Sequence, residues 1–192
     1  YVTRQVEGWI RRYQNARTDD IPEMQLIAEW LVQHKPAEVG GCLIHNDYKY
    51  DNLVLDPQDL SQIKAVLDWE MATLGDPLMN LGSSLGYWVG ADDPEDCRKL
   101  SFGLTSRPGN LNRELLLERY AEKSGRTVNN AVFYYACGLF KIAVIVQQIY
   151  ARYKQGLTQD ARFAGLINLV RAGSKTACLA IEKKRITRLA TD

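Results

Sequence analysis

Histidine is scarce in this chain: His34 and His45 are the only two, too few to complete a zinc site with the scattered cysteines. The four cysteines, Cys42, Cys97, Cys137 and Cys178, are spread widely with no Cys-x-x-Cys pair. These shortages exclude the common zinc patterns and a dense disulfide framework. Free thiols in a reducing compartment, and so a cytoplasmic location, are expected instead. Net charge is also lacking. With 24 Lys+Arg against 23 Asp+Glu the formal charge is +1, which excludes a general nucleic-acid binder. No apolar run reaches the ~20 residues of a membrane span. The longest, Ala131 to Val146, carries Lys141 and is followed by Gln147 and Gln148, so it reads as a long buried helix with no membrane partner. Tyr1 opens the chain without a charged-then-apolar leader, and no signal peptide is expected.

What is present is globular in character. At a prior of ~150 residues per domain, 192 residues imply one domain over residues 1–192, large enough to build a core without disulfides or metals. A hydrophobic share of 46% and a charged share of 24% exclude disorder, collagen and coiled coil.

Three zones follow one another. From Tyr1 to about Pro36, Val6, Trp9, Ile10 and Tyr13 recur at helical spacing, and Met24, Ile27, Ala28 and Leu31 form a second stripe. Between them, Thr18 to Pro22 supplies a cap and an N-terminal proline. From Gly40 to about Asp76 the pattern turns to short β runs: Cys42–Ile44, Leu53–Leu55 and Ile63–Leu67, the last two forming a hairpin about Asp56-Pro57-Gln58-Asp59. From Asp76-Pro77 onward the chain returns to helix, over Leu78–Val89, Leu115–Lys123, Asn129–Tyr153 and Asp160 to about Lys184, with a loop from Gly90 to Asp96 and another around Arg107-Pro108-Gly109. Charge is uneven: residues 47–96 hold eleven acidic and two basic side chains, a local net of −9, whereas residues 171–192 carry a net of +4 that reads as a solvated helix end.

The segment that carries chemistry is His45-Asn46-Asp47-Tyr48-Lys49-Tyr50-Asp51-Asn52, followed by the hairpin and then Leu67-Asp68-Trp69-Glu70. With the turn centred near Asp59, Asp68 is expected opposite Tyr50 and within reach of Asn52, and Asp47 lies in the loop that enters the ribbon. A carboxylate, an amide and a second carboxylate, those of Asp47, Asn52 and Asp68, then converge on one end of the ribbon, a set that suits Mg²⁺, which takes hard oxygen ligands and keeps other positions for water and phosphate. An aspartate beside the ion that is not needed as a ligand is free to take a proton from a hydroxyl. Lys49, two residues past Asp47, can neutralise charge on a phosphoryl group in transit. The set matches phosphoryl transfer, which asks a protein mainly for positioning and charge neutralisation. A third class, a metal-dependent phosphohydrolase, needs more metal ligands than the hairpin offers.

The pattern H-x-D-x-x-x-x-N followed by an apolar strand ending in Asp resembles the catalytic signature of the protein-kinase-like superfamily. The further run Leu67-Asp68-Trp69-Glu70 … Leu74-Gly75-Asp76-Pro77 resembles the aminoglycoside phosphotransferase family, and more narrowly the kinase-like domains of some acyl-CoA dehydrogenase fusion proteins. The likeness is tight from about Gly41 to Leu81 and looser in the helical flanks. It implies an α+β, mainly α fold: a kinase-like C-terminal lobe, in which a helical bundle carries a small catalytic β-hairpin. It implies that Asp47 is the catalytic base, with Lys49 beside it, that Asn52 and Asp68 bind the Mg²⁺ of Mg-ATP, that His45 braces the loop, and that Asp76 caps the next helix.

Three positions depart from the family pattern. Asn80 stands where an aspartate is common, Asn46 where a glycine is common, and Lys49 where an arginine is frequent. Asn46 suits an unusual backbone angle. A complete relative also has an N-terminal β lobe whose glycine-rich loop and lysine hold the ATP phosphates. Before Gly40 this chain has one glycine, Gly8, and one lysine, Lys35, neither in a strand pattern. The expectation is therefore the catalytic and substrate lobe of a phosphotransferase without its N-terminal ATP lobe. Such a piece would bind ATP poorly, turn over little, and self-associate through the uncovered face.

Two readings stand side by side. One is an ATP- and Mg-dependent transferase acting on a hydroxyl of a small molecule, of hydroxyacyl type. The other is a non-catalytic, kinase-like binding module. Singly, Asp47, Asn52 and Asp68 are ordinary turn residues; their joint spacing favours a site. Glu70 reads as a surface carboxylate, and Asp92, Asp93, Glu95 and Asp96 as a solvated acidic loop. Most of the helical aromatics, Tyr87, Trp88, Tyr134, Tyr135, Phe140, Tyr150 and Tyr153, are expected in the core, with one or two left to line an acceptor pocket.

Overall fold

Apolar stripes at helical spacing dictate the bulk of the architecture. A computed structural model describes residues 1–100 and 103–190. Helix α1 (Val2–Ala16) buries Val2, Val6, Trp9 and Tyr13, and α2 (Pro22–Gln33) buries Met24, Ile27, Ala28 and Leu31, the side chains that the spacing singles out. Pro22 opens α2 at its first turn. Thr18 is not its cap, however. The Thr18 hydroxyl accepts from Gln147 Nε2 at 2.8 Å, and the same amide donates to Ala16 O at 2.9 Å.

The remaining helices are α3 (Pro77–Tyr87), α4 (Glu95–Leu100), α5 (Arg113–Ser124), α6 (Ala131–Lys154) and α7 (Leu166–Lys183). Asp76 caps α3 by accepting Leu78 N–H at 2.7 Å, with Pro77 at the first position, as the motif implies. Helix α6 is the central post. Its 24 residues would be long and apolar enough to cross a membrane, yet 67% of its most apolar window is buried among the other helices. Phe133, Tyr134, Tyr135, Phe140 and Val144 join the helices' apolar faces in one core cluster.

Two short antiparallel ribbons hang on this bundle. Strands β2 (Leu53–Leu55) and β3 (Ile63–Val66) form the expected hairpin, paired Leu53↔Val66, Val54↔Ala65 and Leu55↔Ile63, with a bulge between Val54 and Leu55. The second ribbon is a correction to the single-hairpin expectation. Strand β1 (Cys42–Ile44) pairs with β4 (Thr73–Gly75), in register Cys42↔Gly75, Leu43↔Leu74 and Ile44↔Thr73. The β2–β3 hairpin is thus nested inside β1–β4, which closes the loop bearing Asp47 at its base. Another correction concerns Asp68. The ladder stops before it: Tyr50–Asn52 is a 3₁₀ turn, Leu67 N–H still bonds Asn52 O at 2.8 Å, and Asp68 turns out of the strand at φ 62°.

The acidic run is also not a solvated loop. Asp93 is fully buried and clamps the equally buried Arg113 bidentately, with one bond, Nη1 to Oδ2, at 2.6 Å. The guanidinium also donates to Trp88 O and Ile186 O and lies 4.7 Å from the Tyr135 ring centre. Asp92 accepts from Arg188 N–H, and Glu95 and Asp96 open α4. All four cysteines are free thiols.

Helices α3 and α6 cross almost backbone to backbone. A β-carbon on Gly138 would stand 2.6 Å from the carbonyl carbon of Gly82 and 3.1 Å from Ser83 N, and one on Gly86 would stand 3.0 Å from the carbonyl carbon of Gly138. Alanine ordinarily favours a helix over glycine by about 1 kcal/mol. At this crossing the clash outweighs that gain, because overpacking costs about 1–3 kcal/mol. Gly138→Ala is therefore expected to lower stability by about 1–2 kcal/mol, read as a lower urea midpoint at unchanged slope; an equal or higher midpoint would contradict the crossing.

Candidate active site

The loop between β1 and β2 is shaped by hydrogen bonds that converge on its backbone. Buried His45 donates from Nε2 to Leu67 O at 2.7 Å, and its Nδ1 accepts Asp47 N–H at 3.2 Å. That pair of bonds selects the neutral tautomer protonated at Nε2. The imidazole also packs on Trp69 with centroids 4.8 Å apart. His45 therefore ties the loop to the end of β3 and is not aimed at a reacting group.

Asn46 follows at φ 68°, the left-handed angle that asparagine tolerates and that explains its replacement of a glycine. Its N–H donates to Asn80 Oδ1 at 2.7 Å and its Nδ2 to Met71 O at 3.0 Å. Asn80 thus keeps a bracing contact to the loop, through a neutral amide oxygen in place of a carboxylate. The carbonyl of Asn46 accepts from Lys141 Nζ, which reaches across from α6, at 2.6 Å.

Asp47 is the hub. Its Oδ2 lies 3.0 Å from Lys49 Nζ and accepts from Asn52 Nδ2 at 3.1 Å, and the Tyr87 hydroxyl of α3 is close enough to lower the pKa of the same carboxylate. Burial by itself would raise the pKa of this acid. The bonds from Lys49, Tyr87 and Asn52, with the charge of Lys49, outweigh burial and hold it below the usual carboxylate range. Tyr87 is pushed the opposite way, well above an ordinary phenol, first by burial and then by the charge of Asp47. The ammonium of Lys49 also sits 4.8 Å above the Tyr87 ring.

Asn52 is buried and spends its Nδ2 on Asp47, bonding the carbonyl at 2.7 Å as well as the carboxylate; its Oδ1 has no hydrogen-bond partner among the described residues. Asp68 is exposed, and among the described residues its carboxylate has no hydrogen-bond or ion-pair partner. Of the four residues expected from the sequence, Asp47, Lys49 and Asn52 are brought into direct contact. Asp68 is joined to them through the backbone, by the bonds of Leu67 to Asn52 and His45. Two unspent oxygen donors, one amide and one carboxylate, suit a hard cation completed by water and phosphate oxygens. Among the described residues no cluster of three or more His, Cys, Asp or Glu could hold a metal unaided. Glu70 is exposed, as a surface carboxylate would be.

Beside the loop lies a cavity of about 890 Å³, walled by α3, α5, α6, α7 and the 103–111 segment. Its lining is mainly aliphatic and aromatic, and it reaches the catalytic loop at Lys49, Tyr50 and Asp51. Of the charged side chains that line it among the described residues, three are cationic (Lys49, Arg119, Lys123) and one is anionic (Asp51). The roof is tied down: Tyr50 Oη donates to Asn110 Oδ1 at 2.7 Å, Trp88 Nε1 to Leu111 O at 2.8 Å, and Thr105 Oγ1 exchanges bonds of 3.0 Å with the backbone of Val89. Tyr134, Tyr135, Phe140 and Tyr150 are core, while Tyr87 and Trp88 line the cavity.

Two contributors to the loop, Lys141 and Tyr87, were not foreseen as site residues. A lysine inside an apolar helix is a legible warning, since buried lysines are rare. Nothing in the local pattern marks Tyr87 as a partner of Asp47, nor pairs Asp93 with Arg113 across 20 residues.

Comparison with known proteins bears on the fold and the family. Residues 1–109 match the phosphotransferase enzyme family. Mouse acyl-CoA dehydrogenase family member 10 is 32% identical over 170 residues, 84% of this chain and 15% of that protein. Human acyl-CoA dehydrogenase family member 11 is 36% identical over 162 residues, 81% of this chain and 20% of that protein. A solved structure from Ralstonia eutropha JMP134 that carries the name aminoglycoside phosphotransferase superposes with a TM-score of 0.77 at 30% identity, covering 93% of this chain and 55% of that one. The chain thus spans a small part of these curated relatives, and its fold is that of a kinase-like C-terminal lobe. On the match over residues 1–109, the chain belongs to the phosphotransferase enzyme family.

Proposed function

We propose that this chain is the catalytic and acceptor-binding lobe of an ATP-dependent small-molecule kinase whose acceptor is a hydroxylated, largely apolar molecule of acyl type. The observation that carries the reading is the carboxylate of Asp47, held ionised by Lys49, Asn52 and Tyr87 beside the 890 Å³ apolar cavity. An acceptor lying in that cavity presents its hydroxyl near Lys49 and Asp47. Its oxygen attacks the γ-phosphorus, the bond to the ADP leaving oxygen breaks, and the proton passes to Asp47 and on to solvent. Because the transition state is loose, the proton moves late, and a weakly basic carboxylate suffices to orient the hydroxyl. Lys49 neutralises charge on the phosphoryl oxygens.

Asn52 Oδ1 and the Asp68 carboxylate are the donors that would hold Mg²⁺. The ion, when bound, supplies charge neutralisation across the β- and γ-phosphates. Hydrogen bonds to Asp47 keep Asn52 oriented without consuming that oxygen. Contacts to the rest of the nucleotide are assigned to protein outside residues 1–192. In its absence, the exposed apolar side chains of the ribbons, Leu43, Leu60 and Leu74 among them, favour self-association.

The cavity's charge argues about the acceptor. A polyamino sugar would bring several positive charges to a lining that already holds three cations and one carboxylate. In the full-length polypeptide, hydroxylated acyl acceptors are expected to be phosphorylated and polyamino sugars to be refused, as measured by ADP release across a panel. Preference for the polycations would remove the acyl-acceptor assignment.

Asp47→Asn is expected to cut kcat by about 100- to 10,000-fold, the usual worth of a positioned base. Unchanged ADP formation would leave a kinase-like binding module as the better account. The pH profile tests the electrostatics. Lys49 lowers the pKa of Asp47, so removing it must raise that pKa. The acid limb of kcat/KM, where Asp47 gains its proton, should start below the usual carboxylate range and move to higher pH in Lys49→Met. A limb that stays put would mean that Lys49 does not set the ionisation of Asp47.

A further inference from the structure

We infer that Lys141, one helix away from the chemistry, is a positioning residue that fixes the peptide bond preceding Asp47. The inference rests on the role proposed for Asp47.

The residue is difficult to account for as core. It lies within the apolar face of α6 and is 7% exposed. No carboxylate lies within ion-pair distance of it among the described residues. A buried cation without a partner is strongly unfavourable, and a methionine would fill the same volume without that cost. Nor does Lys141 serve a ligand. The crevice beside it, between Tyr1, Trp9 and Cys137, has a volume of about 10 Å³, room for one water at most. Its ammonium instead makes two directed bonds, to Asn46 O at 2.6 Å and to Ser83 Oγ at 3.3 Å. Ser83 passes the link on by donating to Met79 O at 3.1 Å within α3.

The first bond has a specific consequence. A peptide unit has two polar edges, and the one joining Asn46 to Asp47 is gripped at both: Lys141 holds its carbonyl and His45 Nδ1 holds its N–H at 3.2 Å. One residue earlier, Asn80 holds Asn46 N–H at 2.7 Å. Asn46 sits at φ 68°, an angle that costs energy and persists only where surrounding contacts over-determine it. With that peptide plane fixed, the Cα–Cβ direction of Asp47 is fixed too. The carboxylate can then meet Lys49, Asn52 and Tyr87 at once. Neutral carbonyl and hydroxyl acceptors satisfy the ammonium without competing for the charge of Asp47, whose field acts in the same sense.

The test is hydrogen exchange together with steady-state kinetics on the full-length polypeptide, comparing wild type, Lys141→Met, Lys141→Arg and Asp47→Asn. In Lys141→Met, exchange over residues 46–52 should rise about tenfold or more, the effect of losing one charge-assisted bond, while α6 and α7 keep their protection. In the same variant kcat should fall about 100-fold with acceptor KM near wild type, as expected when a reacting group is misplaced by about 1 Å. Lys141→Arg, which keeps the charge and the donors, should recover protection and most of kcat. Unchanged exchange over 46–52, or a rise spread over α6 and α3 with a lowered melting temperature, overturns the inference and returns Lys141 to the core. If Lys141→Met does not fold, failure of Lys141→Arg to protect the loop in a folded protein overturns it equally. Loss of turnover in Asp47→Asn but not in Lys141→Met sinks this inference alone. Retention of turnover in Asp47→Asn sinks the transferase reading, and the exchange data then decide by themselves whether Lys141 holds the loop.

Discussion

The close approach of α3 to α6 at Gly82 and Gly138 is the constraint on which the site depends. Helices that meet through side chains keep their axes about 8–10 Å apart. Here the backbones nearly touch, and that proximity sets what short side chains on α3 can reach. Asn80, Ser83 and Tyr87 fall at seven-residue spacing with a member between, so they share one face of the helix. That single stripe reaches the 45–52 loop along its length: Asn80 holds Asn46 N–H, Ser83 accepts from Lys141, which in turn holds Asn46 O, and Tyr87 comes close enough to Asp47 to lower its pKa. Lys141 itself stands one turn beyond Gly138. Moving the two helices apart by the width of a methyl group would stretch all of these links together.

Electrostatically the site is built around one carboxylate surrounded by donors. Lys49 and the Asn52 amide touch Asp47, and Tyr87 adds to the lowering of its pKa. Lys141 lies behind the loop, where burial pushes its pKa down and the charge of Asp47 opposes that push. Such surroundings make Asp47 a poor base in the ordinary sense. That is compatible with phosphoryl transfer, in which the acceptor hydroxyl needs orientation more than early deprotonation. A deeply raised carboxyl pKa, as in acid catalysts that must stay protonated, would have pointed to different chemistry.

How much of this was legible in the sequence varies with the range of the interaction. The stripes of α1 and α2, the Asp76-Pro77 start of α3 and the existence of the β2–β3 hairpin followed from local periodicity and turn residues, because those features are set by neighbours along the chain. The pairing of β4 with β1 did not. Thr73–Gly75 is three residues long, and two of its side chains, Thr73 and Leu74, face solvent, so it has no alternating pattern to read. The site was legible where it is contiguous, over Asp47, Lys49 and Asn52. It was not legible where α3 and α6 enter, since no local rule brings Tyr87 to Asp47 or Lys141 to Asn46.

The acidic middle of the chain shows why segment charge does not translate into the field of a site. Residues 47–96 sum to −9, which read alone would suggest a bowl for cations. In the fold most of those carboxylates act as hydrogen-bond acceptors for nearby groups. Asp56 and Asp59 close the hairpin turn by accepting from Gln58, Ser61 and Gln62. Asp76 caps α3, and Asp93 is consumed by Arg113. Asp51 alone of them lines the large cavity, facing the cations Lys49, Arg119 and Lys123. Aspartate is selected at turns and caps because its short side chain reaches the backbone. A chain rich in tight turns therefore accumulates negative charge with no bearing on what its pocket binds. The cavity's character is set by side chains drawn from α3, α5, α6 and α7, far apart in sequence, so its chemistry has to be read from the fold and not from segment charge.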